Sequence, residues 1–121
     1  MAEDLDKYRD DYIRESKEHI DGFNQALLAL EKMPGHSQSI EDLFRHAHTL
    51  KSMSAAMKFT QTERLCHTLE DVLDKIKKQE VNSEPYIDVF FKAFDLISKT
   101  IHRIEEGNSE LSTQVMIEDV L

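Results

Sequence analysis

The sequence predicts an all-α protein folded as an antiparallel four-helix bundle. Three observations carry this expectation. Four stretches place their apolar residues three, four or seven apart, the spacing of one helical face. The connections between them are short, which favours antiparallel neighbours. Only three glycines and two prolines occur in 121 residues, too few for the frequent turns of an all-β fold.

The first stretch covers about residues 4–33, with Leu5, Tyr8, Tyr12, Ile13, Ile20, Phe23, Leu27 and Leu30 on its stripe. Gly22 lies inside it and reads as tolerated, at about 1 kcal/mol relative to alanine, because the apolar spacing continues through it. Pro34-Gly35 makes the clearest break. The second stretch, about 39–58, lines up Ile40, Leu43, Phe44, Ala47, Leu50, Ser54 and Met57. The third begins at Thr60, where Thr60 and Glu63 match a capping box. Its stripe is Leu65, Cys66, Leu69, Val72, Leu73 and Ile76. The fourth starts near Ser83 with Pro85 in its first turn. Tyr86, Val89, Phe90, Ala93, Phe94, Ile97, Ile101 and Ile104 form the strongest stripe of all. Gly107-Asn108 suits its end. The bundle is therefore expected over residues 1–107, and 108–121 as a short fifth helix or a linker.

Composition removes several function classes. Fifteen basic residues against twenty-four acidic give a net charge of −9, the reverse of a nucleic-acid binder. A single cysteine, Cys66, excludes an internal disulfide, and its place on the apolar stripe makes it a buried thiol. The acidic opening lacks an apolar run, so no signal peptide is expected there, and no apolar run is long enough to span a membrane. No glycine-rich phosphate loop is present.

Six histidines are many for this length. His19, His36 and His102 sit in no constellation visible from the sequence. His46 lies about 200° around the helix from His48, so the two cannot share a ligand. His48 itself falls on the flank of the apolar face, about 120° from its centre. Lys51 and Ser52 lie one turn on and neighbour the imidazole. In the next stretch His67 and Glu70 are three apart and share a face. Folding the two stretches as a hairpin about residue 59 sets His48 opposite Glu70 and Lys51 opposite His67, since each pair is equidistant from that residue. A four-residue polar cluster is expected at one level of the bundle. A carboxylate beside an imidazole takes the proton of one ring nitrogen and makes the other more nucleophilic. A lysine alongside balances the carboxylate and can meet a phosphoryl oxygen. That lysine also opposes a cation, so no metal site is expected at His48, His67 and Glu70.

The segment FRHAHTLKSMSAAMKF, followed by LCHTLEDVLD, resembles the histidine phosphotransfer domain of CheA-type chemotaxis kinases. The opening DLDKYRDDYIRESKEHI is similar too, and the resemblance runs from about residue 4 through the fourth stretch. It implies that His48 is the phosphoacceptor, that Glu70 holds its other ring nitrogen, and that Lys51 and His67 complete the hydrogen-bonded cluster. The phosphoryl group would come from ATP, held with magnesium on a separate histidine kinase domain. It would leave to an aspartate of a response-regulator receiver, which holds its own magnesium. This domain would carry no cofactor and be a phosphocarrier within a cytoplasmic two-component system, monomeric in isolation and without direct membrane contact. Two positions depart from the family pattern: Ser52 and Lys58 stand where glycine is common, and a lysine at 58 is expected to tolerate a left-handed cap poorly. Residues 40–59 set Glu41 and Asp42 against Arg45, Lys51 and Lys58, a non-acidic strip on an acidic body. Partner docking is expected around Phe44, Ser52 and Ala55. Two other readings stay open: a helical adaptor whose polar cluster only specifies packing, and a small metalloprotein bundle.

Overall fold

The computed structural model describes residues 2–112, with side chains from residue 6 onward. Four α-helices occupy them: α1 (Ala2–Lys32), α2 (Ser37–Ala56), α3 (Thr60–Lys77) and α4 (Ile87–Glu105), with a 3₁₀ turn at Glu84–Tyr86 before α4. Among the described residues there is no strand. Helix α2 packs on α1 and on α3, and α4 closes the bundle chiefly against α1. All-α architecture and antiparallel order are as the apolar stripes predict.

The stripes meet in one core. Phe23, Leu27 and Leu30 of α1 are fully buried, as are Leu43, Ala47 and Leu50 of α2, Leu73 of α3, and Phe90, Phe94 and Ile97 of α4. Phe23 stacks on Phe94 and meets Phe90 edge-on. Burial of each such large side chain contributes about 1.5–3 kcal/mol. Cys66 lies in the same interior, and burial pushes its thiol up to about 12.

Some helix ends differ from the sequence expectations. Helix α2 begins two residues early, because His36 caps it: its Nδ1 accepts the Ser39 N–H at 3.3 Å and lies 2.8 Å from Ser39 Oγ. Lys58 adopts the left-handed conformation (φ 63°) that its side chain was expected to resist. It does so because the turn is over-determined. The Phe59 N–H donates to the Ser54 carbonyl at 2.9 Å and the Lys58 N–H to Ala55 at 3.0 Å, the paired bonds of a Schellman cap. Gln79 (φ 62°) ends α3 by the same pattern, and Gly107 (φ 89°) ends α4.

The expected capping box of α3 does not form. Thr60 is already the first helical residue, so Phe59 occupies the cap position and offers no side-chain bond. The cap comes from the far end of the chain instead. The Glu110 carboxylate accepts the Gln61 and Thr62 N–H groups at 3.0 Å and the Thr62 hydroxyl at 2.7 Å. A negative charge at a helix N-terminus is favourable through the helix dipole. Leu111 packs against the core and its N–H donates to Thr100 Oγ1 at 2.8 Å. Residues 108–112 thus fold back on the bundle without forming a helix. The remainder of the expected fifth helix or linker, 113–121, lies outside the described residues.

Candidate functional site

Helices α2 and α3 form the hairpin about residue 59 that brings His48 to Glu70. His48 Nδ1 lies 3.0 Å from Glu70 Oε1, and Lys51 Nζ lies 2.7 Å from Glu70 Oε2 as an ion pair. The burial is graded. The Glu70 side chain is 14% exposed, that of Lys51 23%, and that of His48 53%. Glu70 is thus the least exposed of the three and His48 the displayed group.

Burial pushes the Glu70 carboxyl upward, but Lys51 and His48 outweigh it and hold the group below the usual carboxylate range. Glu70 is therefore ionised at neutral pH and can only accept. The His48 Nδ1 facing it must carry the proton, which leaves the lone pair on Nε2. No hydrogen-bonding group among the described residues engages that nitrogen. The result is an oriented imidazole whose neutral form has its nucleophilic nitrogen uncommitted. Glu70 further stabilises the positive charge the ring acquires when Nε2 forms a bond.

His67 does not join this cluster. The hairpin sets it at the right height, yet its side chain is 62% exposed and its Nε2 lies 3.6 Å from Asp71 Oδ1 one turn on. Height follows from distance to the turn, whereas direction follows from the 100° step, and His67 points outward where Glu70 points inward. Lys51 pairs with the Glu70 carboxylate instead. The cluster therefore has three members, not four.

Ser52 and Ala55 are exposed on α2 beyond His48, and Phe44 is half-buried one turn before it. The Phe44 ring runs parallel to the imidazole within 10°, with centroids 6.2 Å apart. Lys77 Nζ sits 4.6 Å from the centre of the Phe44 ring and 3.5 Å from Glu41 Oε1. Sequence reasoning missed Lys77, although the signal was present: Glu41 and Lys77 are also equidistant from residue 59. It likewise missed His19 and His46, whose Nδ1 atoms lie 3.0 Å apart between α1 and α2. These two are equidistant from the Lys32–Met33 turn. Gly22 makes room for them, since a Cβ there would stand 2.6 Å from the His46 ring.

Fold and site together define a helical bundle that displays one oriented, nucleophilic imidazole. The family model of the Hpt domain matches residues 7–107, and the chain belongs to that family. It is 44% identical over 106 residues to the chemotaxis protein CheA of Bacillus subtilis, covering 86% of this chain and 16% of that protein. Identity to the CheA of Halobacterium salinarum is 37% over 103 residues, or 84% of this chain and 15% of that protein. The chain thus spans about a sixth of the length of these curated relatives. Among solved structures it is similar to the CheA phosphotransferase domain from Thermotoga maritima, with a TM-score of 0.78 and 36% identity over 82% of this chain and 95% of that one. A solution structure of the histidine phosphotransfer domain of CheA gives a TM-score of 0.83 at 32% identity, covering 94% and 89%.

Proposed function

We propose that this chain is the phosphocarrier domain of a chemotaxis histidine kinase and that His48 carries the phosphoryl group. The observation that carries the reading is the half-exposed imidazole whose Nδ1 is held 3.0 Å from an ionised Glu70. A cluster serving only to specify packing has no need to leave its histidine in solvent, so the adaptor reading is not favoured.

In the first step Nε2 of the neutral ring attacks the γ-phosphorus of ATP. The Nε2–P bond forms, the bond to the ADP oxygen breaks, and the Nδ1 proton stays in place facing Glu70. The ring becomes a phosphoimidazolium whose charge Glu70 balances. In the second step a carboxylate oxygen of a receiver aspartate attacks phosphorus, the Nε2–P bond breaks, and His48 returns to its neutral form. ATP and magnesium belong to a separate kinase domain, and a second magnesium to the receiver. Similarity to CheA proteins supports both partners. It also supports a cytoplasmic setting, and no described helix is long and apolar enough to cross a membrane.

Incubation with a CheA-type kinase domain and labelled ATP tests the proposal. The expected product is acid-labile and base-stable, as an N-linked phosphate is, and His48→Gln abolishes it while circular dichroism stays helical. Undiminished labelling of His48→Gln would refute the assignment.

A further inference from the structure

We propose that Phe44, braced by Lys77, is a positioning residue that holds the His48 imidazole in its reactive orientation; this rests on His48 being the acceptor. The hydrogen bond to Glu70 fixes where one nitrogen lies, but it does not fix the ring plane. A half-turn about the ring's χ2 would bring Cδ2–H to Glu70 and turn Nδ1 away, and that single bond is all that opposes it from α3. With half of the ring in solvent, something else must hold that torsion.

Phe44 is placed to do so. It precedes His48 by four residues, and helical side chains lean back over the turn N-terminal to their own Cα. The imidazole therefore lies along Phe44, with the two planes within 10° of parallel. Phe44 is itself half-buried against the core, so its ring is a fixed wall and not a second mobile group. Its orientation is secured from α3. Lys77 Nζ stands 4.6 Å from the ring centroid, a cation–π distance, and Glu41 holds that ammonium from α2 at 3.5 Å. Glu41, Lys77, Phe44 and His48 form a brace along the α2–α3 groove that continues away from Glu70. The brace contributes no proton and touches no phosphate. It acts only through the imidazole.

Positioning and partner docking make different predictions, and two phosphodonors separate them. Phosphoramidate is too small to dock and reads only the intrinsic reactivity of His48. A CheA-type kinase domain with ATP reads reactivity and docking together. Phe44→Leu keeps apolar bulk against the core but removes the flat face. It is expected to slow both reactions by the same factor, roughly two- to tenfold, the range expected for loss of one aromatic contact. The ¹⁵N spectrum of the His48 ring should move from the Nδ1–H tautomer toward a mixture. Lys77→Met should shift tautomer and rate in the same direction by less, and Lys77→Arg should restore both. An unchanged phosphoramidate rate and tautomer in Phe44→Leu would overturn the proposal, and slowing with the kinase alone would make Phe44 a docking residue. Should Phe44→Leu unfold, the Lys77 variants decide, because Lys77 is exposed and has no place in the core: an unshifted tautomer in Lys77→Met refutes the brace. If the unaltered protein takes phosphate from neither donor, the carrier reading fails, while the tautomer spectra still judge the positioning role alone.

Discussion

Glu70 faces Nδ1 of His48 at 3.0 Å from a position that solvent barely reaches. Removing it leaves the ring free to exchange tautomers and removes the charge that balances the phosphoimidazolium. Positioned acid–base partners contribute about 10²–10⁴-fold, so Glu70→Ala is expected to slow phosphorylation at least about a hundredfold, measured as initial rate with labelled ATP. The pH dependence follows from the lowered Glu70 pKa. A depressed carboxyl contributes stability at pH above its ordinary range, and that stability is lost as pH falls through the lowered folded value. A second residue-scale expectation concerns Gly22. Alanine in an exposed helix interior normally gains about 1 kcal/mol over glycine. Here the added Cβ would meet His46 Cε1 and Nε2 at 2.6 Å and displace the ring from His19. Gly22→Ala should therefore lower the urea midpoint, and in a His46→Ala background it should raise it. At this scale the sequence was an incomplete guide. The mirror rule about residue 59 found His48 and Glu70, but it carries no information about azimuth, so it misassigned Lys51 to His67. The same rule about the Lys32–Met33 turn pairs His19 with His46.

The helices were readable to within a few residues from their apolar stripes, but their ends were not. Caps depend on which neighbour is free to supply a bond. Thr60 and Glu63 satisfy the capping-box pattern in sequence, yet the α3 N-terminus is capped by Glu110, some fifty positions away, and no local motif announces that. The end of α2 was misjudged for a different reason. The left-handed cost at Lys58 is real, but the two Schellman bonds and the packing of Phe59 on the core outweigh it. The strain leaves a measurable trace. Lys58→Gly relieves a φ of 63° at an exposed position and is expected to stabilise the bundle by about 1 kcal/mol, read as a higher urea midpoint at unchanged slope. Gln79→Gly at φ 62° should behave alike, and the two should add because they lie at opposite ends of α3.

The molecule as a whole carries −9, yet the helix that displays His48 is not acidic over residues 40–59. A partner with an acidic, magnesium-bearing site meets least repulsion there, and like charge elsewhere disfavours other orientations. Ser52 and Ala55 are small and exposed beside the imidazole, which leaves that approach open. Ala55→Trp should impair transfer to the receiver without lowering the unfolding midpoint, since it fills the approach and not the core; unaltered transfer would place docking elsewhere. The fold class was the most readable feature at this scale, because four stripes with short connections admit few other arrangements. The fold-back of residues 108–112 was the least readable, because it depends on contacts across the bundle, the Glu110 carboxylate with two N–H groups of α3 and the Leu111 N–H with Thr100. The central claim is that Glu70 holds Nδ1 so that Nε2 of His48 forms the bond to phosphorus. The direct measurement is a ¹⁵N and ³¹P NMR spectrum of the phosphorylated protein labelled at histidine. The account predicts one phosphorus, coupled to Nε2 of His48, with Nδ1 still protonated. Phosphorus on Nδ1 of His48, or on the exposed ring of His67, would contradict it.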